Sequence, residues 1–429
     1  MSYSRVRTMA KRKSRRKGRL LRLLALNLSC AGCIAAVAAI WYLADGVSGG
    51  ERQPAGSPRP AMETVPPSAE KPSLPDESGE GKTDIPAWSP GDESDPAIPA
   101  MPAGSMDGNE ADSAHGKIKL AFVGDILPAS SVLRQMETHG YDYPFRLSAD
   151  LLRSADITAG NLEAPLTARG TPAENKDYVY RGPAAVLPAI KDAGFDVLSL
   201  ANNHTMDYGW IGLQDTMAAL DEHQIRHMGA GHDEMQAYAP AYVEANGFKV
   251  AFIGLSNVIW KVDWKADKKR PGLAEAYDIT RALAAIQEAD RQADLVVVMV
   301  HWGVEYSDRP IPDQVAKGRK FIDAGADLVI GCHPHVLQGF EWYNGKWIAY
   351  SLGNFVFSGT KSPESAKTGV LMAECGKNTE CSLQFYPMLA KAAQPALMEE
   401  AEASALLARL SAVSTAATVE ENGMIVAKR

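Results

Sequence analysis

The sequence predicts an α/β layered fold with mixed β-sheets flanked by helices, preceded by one transmembrane helix and a disordered linker. Strand-like and helix-like segments alternate from Lys117 onward and give way to hairpins, the order that builds layered α/β architecture. Leu23 to Ala44 carries no charge. Twelve of the chain's 26 prolines fall between Asp45 and Gly116, in a stretch too polar to bury the apolar surface that would offset its chain entropy.

The N-terminal elements come first. Residues 1–22 hold ten Lys/Arg and no acid, a basic tail that should stay in the cytoplasm. In helical form residues 23–44 rise ~33 Å, enough to cross a hydrocarbon core of ~30 Å, and Trp41 and Tyr42 suit the outer interface. The expectation is a single-pass signal anchor in the cell membrane with the main domain outside. Cleavage near Val37-Ala38-Ala39 is an alternative. Cys30-Ala31-Gly32-Cys33 faintly resembles a lipoprotein cleavage site that lacks its usual leucine. Residues 45–116 carry fourteen acids against four bases and read as a solvated stalk. Residues 117–429 remain as one domain, ample for a core. That domain is net acidic, which argues against non-specific nucleic-acid binding. Composition also excludes collagen, coiled coil and disulfide-dense mini-proteins.

Within the domain, Lys117–Val123 is a short apolar run and hence a buried strand. Helices are expected over Ser131–His139, Arg146–Ser154 and Ala184–Ala193, the last stopped by Gly194, with short strands at Asp156–Ala159 and Asp196–Leu200. A helix over Ile211–His223 follows. Asn246-Gly247 and Asn344-Gly345 are hairpin turns between Tyr242–Glu244 and Lys249–Gly254, and between Phe340–Tyr343 and Lys346–Tyr350. Ile279–Ala293 and Asp313–Ala324 read as helices, Leu295–Val300 and Asp327–Ile330 as strands. A helix near Ala396–Ala412 and a hairpin around Glu421-Asn422-Gly423 close the chain. Cys332 reads as a buried small hydrophobe. Cys375 and Cys381 bracket a turn between strand-like runs Gly369–Glu374 and Ser382–Leu389, and outside the cytoplasm such a pair should oxidise.

Polar residues collect at strand ends, where open α/β sheets build their sites. Asp125 ends the first strand, Asn161 and Glu163 the second, Asn202-Asn203-His204 the third, His301 the long apolar strand, and His333-Pro334-His335 the next. Each alone has a plain structural explanation: Asp125 as a turn residue or cap, the asparagines as turn formers, His301 as a core imidazole. The final pair is sharper. Proline biases its predecessor to extended geometry, residues i and i+2 then share a side, and paired imidazoles suit zinc, manganese or iron. The coincidence at five strand ends outweighs the separate explanations.

These stretches together resemble the CapA family: Val123-Gly124-Asp125, Gly160-Asn161-Leu162-Glu163, Ala201-Asn202-Asn203-His204, His301-Trp302-Gly303, Gly331-Cys332-His333-Pro334-His335 and Tyr350-Ser351-Leu352-Gly353-Asn354-Phe355. The resemblance covers residues 117–358. Members take part in making poly-γ-glutamate capsules, and the family is similar to calcineurin-like metallophosphoesterases. The resemblance implies a metallophosphoesterase-like sandwich. It further implies Asp125, Glu163, Asn203, His301, His333 and His335 as ligands of one or two ions of manganese, zinc or iron, with Asn161 as a possible metal or bridging residue. His204 would protonate a leaving group. Arg181, Trp302, Asn202 and Asn354 are candidate substrate contacts; for Arg181 and Trp302 a surface salt bridge and a packing aromatic are the plain alternatives. Two departures stand out: Leu127 replaces a ligand histidine and Asn161 a bridging carboxylate. Implied partners are the membrane subunits of a capsule polymer synthase and an anionic glutamyl polymer or phosphoester, with no nucleic acid. A metal-dependent hydrolase and a non-catalytic binding module on a vestigial fold remain as alternatives.

Overall fold

The structure, a computed structural model, describes residues 116–357 and 362–428. The expected basic tail, signal anchor and linker up to residue 115 lie outside the described residues. Among the described residues no helix is long and apolar enough to cross a membrane.

The strands that frame the interior are, in chain order, β1 (Lys117–Ile126), β2 (Ile157–Leu162), β3 (Phe195–Ser199), β4 (Phe248–Ser256), β5 (Leu295–His301) and β6 (Leu328–Cys332). β1, β2 and β3 run parallel in one sheet. β4, β5 and β6 run parallel in a second. Antiparallel partners complete both. Lys367–Gly376 lies along β1, with Cys381–Lys391 beyond it. Ala241–Ala245 pairs with β4 across the Asn246-Gly247 turn.

Strand alternation builds the layers. Ile118, Leu120 and Phe122 of β1 share one core with Val250, Phe252, Val297 and Met299 from the other sheet. Ala121 and Val123 point the opposite way, toward Val132, Met136, Leu187, Ile190 and Leu213 of helices Ser130–His139, Leu187–Asp192 and Gly209–Glu222. On the second sheet Ala251, Ile253, Val296 and Val298 pack against Ala282, Ile286 and Phe321 of helices Thr280–Asp290 and Pro312–Asp323. Both faces of each central strand are covered, which is why these strands read as unbroken apolar runs rather than alternating ones.

Asn246 and Gly247 take φ 49° and 74°, and Asn344 and Gly345 take φ 50° and 81°, the left-handed pairs that a two-residue hairpin turn needs. Four helix expectations shrink, Ile279–Ala293 to Thr280–Asp290 and Ala184–Ala193 to Leu187–Asp192 behind a 3-10 turn among them. The one over Arg146–Ser154 is confined to Ala149–Arg153. The C-terminal one begins at Glu400, because Gln394–Leu397 pairs as a strand on Cys381–Lys391. Pro395 is tolerated there since an edge position requires no donated bond. Asn354–Val356, not expected as a strand, pairs parallel to β1 and aligns Asn354 with Asp125.

Cys375 and Cys381 form a disulfide across the neck of their hairpin. Closing so short a loop stabilises by about 2 kcal/mol through the unfolded chain. A Cys375→Ala/Cys381→Ala variant should lose about that much in urea denaturation. An unchanged midpoint would show the bond contributes nothing.

Candidate metal centre

The carboxyl ends of the six parallel strands meet at one place. Asp125 sits near the end of β1, Asn161 within β2, Glu163 just beyond it, Asn203 and His204 beyond β3, His301 at the end of β5, and His333 and His335 beyond β6. The register between β1 and β2 shifts between Phe122 and Asp125, a bulge of the kind that re-aims side chains beside active sites.

His301 stands in the middle. Its Nε2 lies 2.9 Å from Asn203 Oδ1 and 3.5 Å from Glu163 Oε1. Its Nδ1 lies 3.9 Å from Asp125 Oδ1 and 3.3 Å from Cys332 Sγ. The His301 and His333 rings are 4.6 Å apart, and those of His333 and His335 5.7 Å. His335 Nδ1 approaches Asp125 Oδ2 at 3.5 Å. Potential ligand atoms fall within 4.8 Å of one another in three sets: Glu163 with His301 and His333, Asp125 with Glu163 and His335, and Asp125 with His301 and Cys332. Glu163 belongs to the first two.

The donor set fits a cation. Both carboxylate oxygens of fully buried Glu163 lack a hydrogen-bond partner, as does His333 Nδ1, and buried polar atoms are rarely left so. Burial, with the nearby charge of Asp125, pushes the Glu163 carboxyl well above its usual range. Burial and the neighbouring imidazoles hold His301 well below its ordinary value, and His333 falls to about 3 for similar reasons. Burial pushes His335 down as well, yet the hydrogen bond and charge of Asp125, with Asn354, carry it above its ordinary value. Neutral imidazoles, as at His301 and His333, are what a dication requires of its ligands, whereas Glu163 and His335 must give up a proton to join them.

The route to this geometry differs from the expected one. His333 takes φ 97° and His335 φ 58°, so the pair is not an extended i, i+2 step. Each left-handed non-glycine residue costs on the order of 1–3 kcal/mol, and such strain is typical of functional loops. Asn161 commits its amide to its neighbours. Its Nδ2 donates to Asp125 Oδ1 at 2.8 Å and its Oδ1 accepts from Asn202 at 3.0 Å, so it orients Asp125.

Three candidate substrate contacts are buried and bonded within the protein. Trp302 is fully buried against Phe321 and Tyr350 and donates to the Tyr350 carbonyl. Asn202 spends its amide on Asn161, Leu162, His204 and Thr205 inside the turn after β3. Asn354 is buried, and its Oδ1 receives His335 Nδ1 at 2.9 Å; it aims an imidazole. Arg181 is exposed and lies over the Tyr208 ring, outside the lining of the cleft described next.

A cleft of about 710 Å³ opens on Asn203, His204 and His333. His204 Nδ1 lies 2.7 Å from Asp207 Oδ2, which in the neutral imidazole puts the proton on Nδ1 and leaves Nε2 able to accept one. Burial pulls His204 below its ordinary value while Asp207 pulls it up. Sequence reasoning passed over Lys176, which lies in a loop with no periodicity to mark it. It is buried beside Asp207, pairing with Oδ1, and its Nζ also reaches the Asn203 carbonyl at 2.6 Å and His204 Nδ1 at 3.1 Å. Removing one member of a buried pair strands the other, at about 3–5 kcal/mol. Lys176→Met should therefore destabilise more than Lys176→Met/Asp207→Asn in matched thermal melts; equal losses would mean that the pair is not coupled.

A family model described as bacterial capsule synthesis protein PGA_cap matches residues 119–359. The chain is 36% identical over 258 residues to the capsule biosynthesis protein CapA of Bacillus anthracis, covering 58% of this chain and 62% of that protein. It is 38% identical over 242 residues to the PGA biosynthesis protein CapA of Bacillus subtilis, covering 56% and 63%. A probable polyglutamine synthesis accessory protein of Mycobacterium tuberculosis is 34% identical over 253 residues, covering 55% and 66%. The chain thus spans a little under two thirds of the length of these relatives. Among solved structures, Thermus thermophilus sulfate thiohydrolase SoxB in complex with glycerol aligns at a TM-score of 0.35 and 13% identity, over 59% of this chain and 53% of that one, too distant to bear on chemistry.

Proposed function

The chain belongs to the bacterial capsule synthesis protein family, and from that premise we propose that it is a membrane-anchored, outward-facing accessory of poly-γ-glutamate synthesis or export with a metal-holding domain. Residues 23–44 serve as the anchor, 45–116 as the stalk and 117–429 as the working domain beside the synthase's membrane subunits. The observation that carries the metal reading is the pair of buried, unpartnered oxygens of Glu163. Asp125, Glu163, Asn203, His301, His333 and His335 hold one or two divalent cations, with Glu163 as the shared carboxylate that Asn161 cannot supply. The mixture of carboxylate, carboxamide and imidazole donors suits manganese, zinc or iron. Such a cation polarises an electrophile and acidifies nearby water.

A second reading, a hydrolase of a phosphoester or γ-glutamyl bond, is favoured by the His204–Asp207 pair, whose histidine lines the cleft. Asp207 fixes the His204 tautomer, and His204 Nε2 takes up a proton and returns it to a leaving group. Elemental analysis of the purified full chain, beside His333→Ala, tests the metal centre: about stoichiometric metal is expected in the parent and its loss in the variant. Metal absent from both would leave a non-catalytic binding module. Polymer yield in a deletion strain tests the accessory role, and unchanged polymer would sink it. Turnover equal in parent and His333→Ala would remove the hydrolase reading.

A further inference from the structure

The cleft that opens on His204 and His333 has an acidic and aromatic wall outside the metal ring. Lys176 is a cation in it, but two of its three donors are already given to Asp207 and the Asn203 carbonyl. Asp177 and Glu305 line the same cleft and are exposed. The charge of Glu305 is felt at Glu163 and His335. A glutamyl polymer would find attraction only at the cations of the metal ring and would meet carboxylates of its own sign along the wall.

The wall is also aromatic. Trp260, Tyr277 and Tyr178 line the cleft yet stand 46%, 47% and 52% exposed. Tyr277 is pinned, accepting Ile259 N–H at its hydroxyl at 2.9 Å with Lys265 Nζ 4.1 Å above its ring. Tyr178 stacks on Tyr180. Planar rings beside exposed carboxylates match a ligand with an apolar C–H face and many hydroxyl donors. The negative face of an aromatic ring attracts C–H edges, and a carboxylate accepts a charge-assisted bond from a hydroxyl.

We infer that this cleft binds a neutral glycan, with one pyranose stacked on Trp260 and its hydroxyls donating to Asp177 and Glu305. The inference rests on the reading of the metal ring as the working centre, since the cleft leads to it. The ligand class is thus a sugar chain that the capsule machinery meets outside the cell, rather than the glutamyl polymer.

The test titrates the full chain with N,N′,N″-triacetylchitotriose and, separately, with a γ-linked glutamate decamer, following tryptophan fluorescence and calorimetric heat. Metal content is measured on the same preparations. Chitotriose is expected to bind, with affinity falling about tenfold or more in Trp260→Ala and by less in Trp260→Phe, while bound metal stays at the parent level. Binding of the glutamate decamer with the same dependence on Trp260, or saturable binding of neither probe, overturns the inference. Metal missing from a parent that still binds chitotriose refutes the metal reading instead, so the two fail separately.

Discussion

Glu163→Gln is expected to abolish cation retention and, in the cation-free protein, to raise stability. The carboxylate is fully enclosed with neither oxygen satisfied. Burial, then the charge of Asp125, holds its pKa well above the ordinary value. A folded-state pKa above the unfolded one adds stability below the unfolded value, and that contribution is lost as pH rises through the folded one. Near neutrality the empty ring therefore either buries a charge or keeps a proton that water would not. A neutral amide of the same shape removes this penalty, by about 1–3 kcal/mol. The same change deletes an anion common to two of the three ligand sets, and loss of a direct ligand should exceed the ~10–100-fold affinity cost of losing an outer-shell partner. Calorimetric melts with and without manganese, alongside elemental analysis, read both effects. A variant that melts below the parent in chelator, or still gains stability from manganese, would refute the assignment.

Gly124→Ala is expected to cost on the order of 3 kcal/mol or more. A Cβ at this position would lie 1.8 Å from the Gly353 carbonyl oxygen and 2.9 Å from its carbon. That carbonyl accepts Asp125 N–H at 3.0 Å, so β1 and the 352–354 segment meet backbone to backbone. Forcing them apart moves Asp125 on one side and Asn354, the partner of His335, on the other. Denaturant titration should show the loss, and surviving protein should hold less metal. Parent-like stability would mean that the two segments separate freely and that this contact does not set the ligand ring.

Much of this protein is legible along the chain because the signals are local. Continuous apolar runs mark strands covered on both faces, and Val296 and Val297 need no further context to be read as buried. Asn-Gly pairs specify left-handed turns through their own backbone preferences. The gathering of Asp125, His301, His333 and His335 follows from parallel strands sharing one carboxyl edge. Cys332 was half legible: it is buried in β6 as a small hydrophobe would be, yet its sulfur faces His301 Nδ1, which residue type alone does not indicate.

By itself, the sequence determined the layered α/β class, the hairpin turns, the cysteine pair and the edge where the chemistry gathers, since each depends on periodicity or on one residue's conformational limits. Only the tertiary structure decided the direction of each side chain. It made Asn161 a brace, left both Glu163 oxygens buried without a partner, buried Trp302 in the core, turned Asn354 onto His335, and brought Lys176 from an irregular loop to Asp207. A donor's chemistry resides in its residue, but its aim is set by strand register and loop path, and those are fixed by contacts between segments far apart in the chain.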